Sequence, residues 1–353
     1  MIQSTVQING AFRGQAVTGQ QRYATEISNR LLESGRIDCR EVSPPALSAG
    51  SKFLAWAWAL GLGFRGRRTR GHLLTLTFRG PIAARHHIVV IHDLFVLDHP
   101  EWFSLRYVIT HAPVLRLQIR TAELLIAVSQ PVADVLRSRF GDRRIIVAPN
   151  APAHVFTRLP DRSFTAETLG ELGLVAKKYI LAVGSRDPRK NAHALIQAHA
   201  ELPESMRREF PLVFVGSANE SIFGNSKSRP ELNIIRVGYV SDEVLTVLYS
   251  EAQLVVFPSL DEGFGLPAIE ALACGADVLV SDIPVLRWVC GRYAEYFSLS
   301  DGQSLTLTIR RLVEFPSESS GTRAERRKYA VEMFSWSSSS ELIIDAISGL
   351  KRP

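Results

Sequence analysis

Cysteine is scarce in this sequence, and its scarcity excludes folds that depend on cross-links. The 353 residues include only three cysteines, Cys39, Cys274 and Cys290, an odd number whose spacing matches no metal-ligand pattern. The sequence therefore predicts neither a disulfide framework nor a zinc site, and a reducing cytoplasm is the simplest location. The first residues also lack the basic start and apolar core of a signal peptide.

Acidic residues are missing from a long internal stretch. Between Val42 and His92 there is no Asp or Glu, whereas seven Lys or Arg occur there. Within it, the 12-residue apolar run Phe53–Phe64 precedes four arginines, Arg65, Arg67, Arg68 and Arg70. The run is too short for a bilayer, which needs about 20 residues, but beside these arginines it suits the interface of an anionic membrane. The alternative is a core helix followed by a solvated basic loop.

A dinucleotide fingerprint is present only as a chance match. Gly61–Gly66 fits G-x-G-x-x-G, but a basic stretch rather than an amphipathic helix follows it. No acid that could bind a ribose lies about 20 residues further on. The sequence therefore argues against a dehydrogenase.

The alternation of strands and helices predicts the fold class. A chain of 353 residues is too long for one ordinary core. Two series of strands separated by helical segments flank the proline-rich stretch Ala148–His154. This pattern predicts an α/β protein with two doubly wound, Rossmann-like parallel-sheet domains, residues 1–160 and 161–334, followed by a terminal helix within 335–353. Ligands of such sheets bind beyond the carboxyl ends of the strands, so we expect the site in the cleft that the domains face.

One stretch, Phe257–Gly275, has the features of an anion site. It joins a predicted buried strand, Gln253–Phe257, to a helix that begins at Pro267 and ends at Gly275. Gly263 and Gly265 let ligand atoms approach the backbone, and the first amides of the helix have no partner within it.

Two carboxylates flank this loop. Glu262 lies in the loop and Glu270 about one turn into the helix. Ionised carboxylates accept hydrogen bonds from hydroxyls, and an anion that carries hydroxyls at both ends describes a nucleotide sugar. The alternatives are a solvated helix acid at Glu270 and a helix-dipole partner at Glu262.

The whole string resembles the signature of the retaining nucleotide-sugar glycosyltransferases of family 4, which have the GT-B fold. The match includes the Glu-x7-Glu spacing and covers Phe257, Pro258, Ser259, Glu262 to Pro267, Glu270, Ala271, Ala273 and Gly275. The resemblance implies that Glu262 holds sugar hydroxyls near the reacting carbon and Glu270 the ribose hydroxyls. It implies a donor-binding backbone at Gly263, Phe264, Gly265 and Leu266. It also suggests that the terminal helix packs back on the N-terminal, acceptor-side domain.

A second loop carries cations at the end of the predicted strand Tyr179–Val183. Gly184–Asn191 contains Arg186, Arg189 and Lys190, which suits a diphosphate. A solvated basic loop is the alternative. The Gly-x5-Lys spacing from Gly184 to Lys190 resembles a family 4 element, and the resemblance makes Arg189 the first candidate for its arginine and Arg186 the reserve.

Further site residues follow from the resemblance. The backbone around Tyr239 and Val240 is expected to meet the nucleobase, although capping by Ser241 also explains that stretch. His92 follows the predicted strand His87–Ile91, at the carboxyl end where a donor or acceptor hydroxyl would meet it, and a satisfied core histidine is the alternative. The segment after it resembles one in bacterial polysaccharide mannosyl- and rhamnosyltransferases, and the resemblance favours a catalytic role for His92. Gly19 matches the family's first glycine-rich loop, near acceptor and diphosphate.

These residues lead to one functional expectation. The chain is expected to move a hexose, with mannose the first guess, from a nucleoside-diphosphate sugar such as GDP-mannose to a saccharide or polyprenyl-linked acceptor. The sequence contains no Asp-x-Asp, so no metal and no cofactor are expected. The enzyme is expected in the cytoplasm or on the inner membrane face, without nucleic acid. The alternatives are a sugar-nucleotide epimerase of the same fold and a non-catalytic basic membrane-binding protein.

Overall fold

The chain divides into two compact units in the computed structural model. The first unit comprises Met1–Asn150 and Phe334–Pro353, and the second comprises Ala151–Met333. The structure describes residues 5–15, 18–43, 58, 61–62, 71–78, 80–81, 84–184, 187–216, 233–315 and 321–350. The predicted membrane segment from Phe53 to Arg70 lies outside these residues except at three positions, and Arg186 also lies outside them.

The first unit is built on a six-stranded, wholly parallel sheet. Its strands are β1 (Thr5–Asn9), β2 (Asp38–Val42), β3 (His72–Thr75), β4 (His87–Ile91), β5 (Leu124–Ala127) and β6 (Ile145–Val147). Their order across the sheet is β2-β1-β3-β4-β5-β6. The helices are α1 (Gly19–Glu33), α2 (Phe95–Asp98), α3 (Leu105–Thr121) and α4 (Gln130–Phe140). Every residue of β3, β4 and β5 is buried, as expected for parallel strands covered on both faces.

Helix α3 corrects one expectation. The sequence predicts an interruption near Pro113, but α3 runs without a break from Leu105 to Thr121. Pro113 lies on the exposed side, whereas Ala112 and Leu115 face the core. A proline on the solvent side removes one hydrogen bond and lets the helix bend around the core, so it does not end the helix here.

The second unit repeats the design with a second six-stranded parallel sheet. Its strands are β7 (Ile180–Val183), β8 (Leu212–Val215), β9 (Ile234–Gly238), β10 (Leu254–Phe257), β11 (Val278–Ser281) and β12 (Glu295–Phe297). Its helices are α5 (Arg162–Glu171), α6 (Ala192–Ala200), α7 (Glu204–Glu209), α8 (Asp242–Glu251), α9 (Leu266–Ala273), α10 (Pro284–Cys290), α11 (Ser304–Glu314) and α12 (Arg323–Met333). The predicted α/β class with two doubly wound parallel sheets is confirmed.

The strand order of the second sheet places a ligand crevice. The order is β12-β11-β10-β7-β8-β9, so the chain moves outward from β7 to β9 and then returns to the other side of β7 as β10. Loops that leave β7 and β10 therefore run in opposite directions. In doubly wound sheets the crevice between two such loops, at the carboxyl ends of the strands, is where ligands bind.

The last helix, α13 (Trp336–Ser348), belongs to the first unit. It packs against α1 and β6, with Trp336, Ile343, Ile344 and Ile347 buried. The Ser339 hydroxyl donates a hydrogen bond to the Pro149 carbonyl at 2.7 Å. The unit boundary falls after Asn150 rather than at residue 160, because the 3-10 turn His154–Thr157 packs against α8 and α9 of the second unit. Within the described part of the chain, no helix has both the length and the apolar character that crossing a bilayer requires.

Candidate active site

The two loops at the crevice of the second unit are joined by an ion pair. Lys190 ends the 3-10 turn that follows β7, and Glu262 lies between β10 and α9. The Lys190 Nζ donates to the Glu262 Oε1 at 2.5 Å, and these side chains are only 20% and 11% exposed. The backbone also connects the loops, since the Leu260 amide donates to the Arg189 carbonyl at 2.7 Å. The structure therefore brings together one residue from each of the two predicted motifs.

Ser259 holds the Glu262 carboxylate as well. Its hydroxyl donates to the Glu262 Oε1 at 2.7 Å, and the residue is buried. One oxygen of Glu262 thus receives both an ammonium and a hydroxyl hydrogen bond, which sets the orientation of the carboxylate. Sequence reasoning gave Ser259 no role, although the residue stands inside the string that resembles the family signature.

Arg189 is engaged by an acid that the sequence analysis did not assign. The Arg189 Nε donates to the Asp187 Oδ2 at 2.7 Å, and the Arg189 amide donates to the Asp187 Oδ1 at 3.0 Å. Burial raises the pKa of the Asp187 carboxyl, but the hydrogen bonds and charge of Arg189 together hold it below its usual value. The Asp-Pro dipeptide predicts a cap at Asp187, because Asp before proline is typical of a helix start. Any contact of Arg189 with a phosphate must compete with Asp187.

The start of α9 depends on a glycine conformation. Gly265 has φ of 85°, and no side chain among the described residues caps the helix there. A Cβ on Gly265 would lie 2.7 Å from the Leu286 Cδ2. Phe264 is buried and packs edge-on against Trp288, with ring centroids 6.2 Å apart. The Phe264 side chain is engaged in this packing. The donor contacts predicted for residues 263–266 are therefore expected from their backbone atoms.

Glu270 lies inside the protein rather than in solvent. It is the fifth residue of α9 and only 5% exposed. The alternative of a solvated helix acid is therefore wrong. Burying an ionised carboxylate is costly unless other groups compensate it. Its predicted contact with ribose hydroxyls stays a prediction.

The remaining donor-side residues lie at the carboxyl ends of β7, β8 and β9. Gly184 follows β7, and its carbonyl oxygen comes so close to Gly216 that a Cβ there would meet it at 2.0 Å. Tyr239 is 83% exposed directly after β9, and Val240 is half-buried. The predicted cap is confirmed, since the Ser241 hydroxyl accepts from the Val244 amide at 3.3 Å. Contact of Tyr239 and Val240 with a nucleobase stays a prediction.

In the first unit, His92 follows the carboxyl end of β4 as predicted. Its Nε2 lies 2.9 Å from the Leu76 carbonyl oxygen. Because a carbonyl oxygen only accepts, Nε2 carries the proton and Nδ1 presents the lone pair. Burial lowers the pKa of His92 to about 4, against a weaker opposing effect of the Leu76 carbonyl. His92 is therefore neutral at pH 7.

The glycine-rich loop of the first unit leads into α1. Gly19 is the first residue of α1 and is exposed. Four residues later, the buried Tyr23 donates its hydroxyl hydrogen bond to the Ala148 carbonyl at 3.1 Å and packs edge-on against His92 at 5.2 Å. Tyr23 therefore supports the packing around His92, while the predicted acceptor or diphosphate role of Gly19 stays a prediction.

Known proteins are similar to this chain in sequence and in fold. Residues 170–332 match the family model described as "Glycosyl transferases group 1". The serotype-specific mannosyltransferase WbdA of Escherichia coli is 29% identical over 248 residues, which cover 66% of this chain and 29% of that protein. The O-antigen chain mannosyltransferase B of Escherichia coli is 32% identical over 218 residues, or 58% of this chain and 55% of that protein.

A solved structure agrees over nearly the whole chain. HepE from Anabaena, in complex with UDP and glucose, matches with a TM-score of 0.70 at 18% identity, covering 99% of this chain and 100% of that one. At this identity the likeness shows the fold. The matched segment spans less than two thirds of the length of either mannosyltransferase. Over residues 170–332 the chain is similar to the glycosyltransferase group 1 family, and the chain has the GT-B fold.

Proposed function

We propose that this chain is a retaining, metal-independent glycosyltransferase. It moves a hexose, mannose in the first instance, from a nucleoside-diphosphate sugar to a saccharide or lipid-linked saccharide in cell-surface polysaccharide synthesis. The observation that carries the proposal is the meeting of Lys190 and Glu262 at the switch point of the second sheet, 2.5 Å apart beside the start of α9. A cation for the phosphates and an acid for the sugar hydroxyls are thereby held side by side.

The chemistry follows from the charge that develops when the sugar leaves. Departure of a nucleoside diphosphate concentrates negative charge on the β-phosphate. The backbone amides after Glu262 are held in the loop before the donor arrives, and preorganised groups of this kind stabilise a developing charge most effectively. Lys190 adds its positive charge once it turns from Glu262 to the phosphate. The planar Arg189 guanidinium can bind a phosphate with two hydrogen bonds when it turns from the Asp187 carboxylate to the ligand.

The donor must rearrange the ion pair that exists without it. One carboxylate oxygen of Glu262 accepts from both Lys190 and Ser259. When Lys190 turns its hydrogen bonds to phosphate, Ser259 continues to orient Glu262 toward the sugar hydroxyls. The pair thus keeps both groups compensated in the free protein.

Two features support sugar transfer without a metal. The sequence has no Asp-x-Asp, and two cations with backbone amides supply positive charge at the diphosphate without a metal. In a retaining reaction on one face, the leaving phosphate oxygen can take the acceptor's proton. His92, neutral and with its Nδ1 as an acceptor, is proposed to bind a hydroxyl of the sugar or acceptor rather than to act as a strong base.

The experiment is a donor screen followed by product analysis. Thermal shift with GDP, UDP, ADP and dTDP, each with and without its sugar, identifies the nucleotide because a ligand of the folded state raises the melting temperature. Two relatives named as mannosyltransferases favour a mannose donor, and the structural neighbour in complex with UDP is the reason to include UDP-sugars in the screen. The proposal predicts an α-linked product from an α-linked donor, with unchanged turnover in EDTA. An inverted product would contradict retention, and an epimerised donor would favour the epimerase.

We further propose that the enzyme works on the cytoplasmic face of an anionic membrane. The support is the run of residues 42–92 without any acid and with the apolar Phe53–Phe64 beside four arginines. Co-sedimentation with phosphatidylglycerol vesicles tests this against neutral vesicles. Replacing Arg65, Arg67, Arg68 and Arg70 with Gln should abolish vesicle binding and leave turnover on a soluble acceptor unchanged.

A further inference from the structure

Three potential metal ligands meet at one edge of the first unit's sheet. His72 is the first residue of β3, His86 immediately precedes β4, and Glu123 immediately precedes β5. These three strands are neighbours and run parallel, so their amino ends lie at the same edge. Backbone hydrogen bonds hold the strand starts together, with the Leu73 amide donating to the His86 carbonyl at 3.0 Å.

The distances suit a shared ion. The His86 Nδ1 lies 2.9 Å and the His72 Nδ1 lies 3.5 Å from the Glu123 Oε2. One ligand atom from each of the three residues lies within 4.8 Å of the others. In a tetrahedral zinc site with bonds of about 2.0–2.2 Å, ligand atoms are about 3.3–3.6 Å apart. Small side-chain rotations would therefore bring all three groups to bonding distance of one ion.

His72 supplies an independent observation. It is 1% exposed, and neither of its ring nitrogens has a hydrogen-bond partner among the described residues. Other buried histidines differ, because the His87 Nε2 contacts the Thr75 hydroxyl at 2.8 Å and the His199 Nε2 contacts the Phe210 carbonyl at 3.0 Å. A buried imidazole whose Nε2 has no partner among the described residues and whose Nδ1 only approaches Glu123 at 3.5 Å is poorly compensated, and a metal bond would improve this.

We propose that His72, His86 and Glu123 bind a divalent transition-metal ion of the zinc class. Two imidazoles with one carboxylate match the ligands of zinc, whereas magnesium and calcium take oxygen ligands. The side chains of His86 and Glu123 are 26% and 29% exposed, so solvent can supply a fourth ligand. The cysteine spacing, from which no zinc site was predicted, could not reveal this site because none of its three ligands is a cysteine.

The role of this ion is to join three strands, not to act on the donor. His92 follows the opposite end of β4 and comes six residues after His86, so it lies about 20 Å away at about 3.3 Å per residue. Because the ligands come from three strands, the ion binds only the folded first unit and stabilises it. The site is therefore compatible with metal-independent sugar transfer.

The test is zinc titration of the untagged full chain after dialysis against chelator. Calorimetry should show saturable binding of one ion per chain, and zinc should raise the melting temperature. His86→Ala and Glu123→Gln change partly exposed side chains, and each should weaken binding by more than about 100-fold, since loss of even an outer-shell partner costs about 10–100-fold.

The matched control is His99→Ala. His99 also faces an acid, with its Nδ1 3.0 Å from the Glu101 Oε1, but this exposed pair is not part of the three-residue cluster. His99→Ala should bind zinc as the wild type does. The proposal is overturned if the wild type shows no saturable binding, or if His86→Ala and Glu123→Gln bind as tightly as the control.

Discussion

The Lys190 ammonium lies 2.5 Å from the Glu262 carboxylate, although the two residues stand 72 positions apart in the chain. The contact exists because β10 returns to the side of β7, so that their loops end at one crevice. Both side chains are mostly buried, and the charge of each compensates the desolvation of the other. The same pair thus bears on stability and on catalysis, and mutations can separate these contributions.

Breaking the pair on one side should destabilise the protein more than removing both charges. Lys190→Ala leaves Glu262 partly buried with Ser259 as its one side-chain donor among the described residues, which should cost about 1–3 kcal/mol of unfolding free energy. Lys190→Ala combined with Glu262→Gln should recover most of that loss, because no unpaired charge remains. Urea denaturation of the wild type, both single variants and the double variant measures this. A double variant whose loss equals the sum of the single losses would show that the pair carries no coupling.

Glu270→Ala should weaken donor binding by about 10–100-fold, the value of one or two charge-assisted hydrogen bonds. The variant should bind a nucleoside diphosphate and its 2′,3′-dideoxy analogue equally, since the acid is proposed to hold the ribose hydroxyls. Calorimetry with both ligands checks the claim. Glu314→Ala, which removes an exposed helix acid of the second unit paired with Arg310, should leave both affinities unchanged. A variant that still discriminates between the two ligands as the wild type does would place the ribose elsewhere.

Gly265→Ala should lower stability and donor affinity together. Alanine at φ of 85° is strained, and its Cβ would press on the Leu286 side chain at 2.7 Å. We expect a loss of about 1–3 kcal/mol and a displaced start of α9. Gly170→Ala is the matched control, because Gly170 lies in α5 with no atom within 4 Å of a built Cβ. That change should be neutral or stabilising by up to about 1 kcal/mol. Equal effects of the two substitutions in thermal denaturation would be inconsistent with this account.

His92 makes stability depend on pH in the acidic range. Burial lowers its folded-state pKa from 6.5 to about 4, so the unfolded chain binds a proton between these values and the folded chain does not. Its contribution is complete above pH 6.5 and is lost as pH falls to 4, about 3 kcal/mol in all. His92→Gln removes this titration and keeps a donor for the Leu76 carbonyl. The difference in unfolding free energy between wild type and variant should shift by about that amount, in favour of the variant, from pH 7 to pH 4. A constant difference would contradict the burial argument.

Local signals predicted the elements of the second unit well. The predicted strand Gln253–Phe257 is β10, shorter by one residue, and the helix predicted to begin at Pro267 begins at Leu266. Proline near the helix start and Gly275 at φ of 78° after its end are the physical reasons, since both act on their own backbone. Ser129 is another local signal, since a serine shortly before a proline predicts a helix start, and its hydroxyl caps α4 by accepting from the Val132 amide.

Contacts between residues far apart in the chain could not be predicted from the sequence. The sheet order that places β10 beside β7 cannot be derived from strand order along the chain, and the ion pair of Lys190 with Glu262 depends on it. The meeting of His72, His86 and Glu123 depends in the same way on three adjacent strands. Asp187 is only two residues from Arg189, but an Asp-Pro dipeptide does not reveal that the Asp187 carboxylate also accepts a hydrogen bond from the Arg189 guanidinium.

The central claim is that Lys190 stabilises a departing nucleoside diphosphate, and the release of that diphosphate from the donor is its most direct measure. With the donor found in the screen and a saccharide acceptor, Lys190→Ala should lower kcat by about 10²–10³-fold, the cost of losing one charge-stabilising donor. Lys178→Ala, which removes a surface lysine paired with Glu209 in the same unit, should turn over as the wild type does. A Lys190→Ala variant with wild-type kcat would contradict the account.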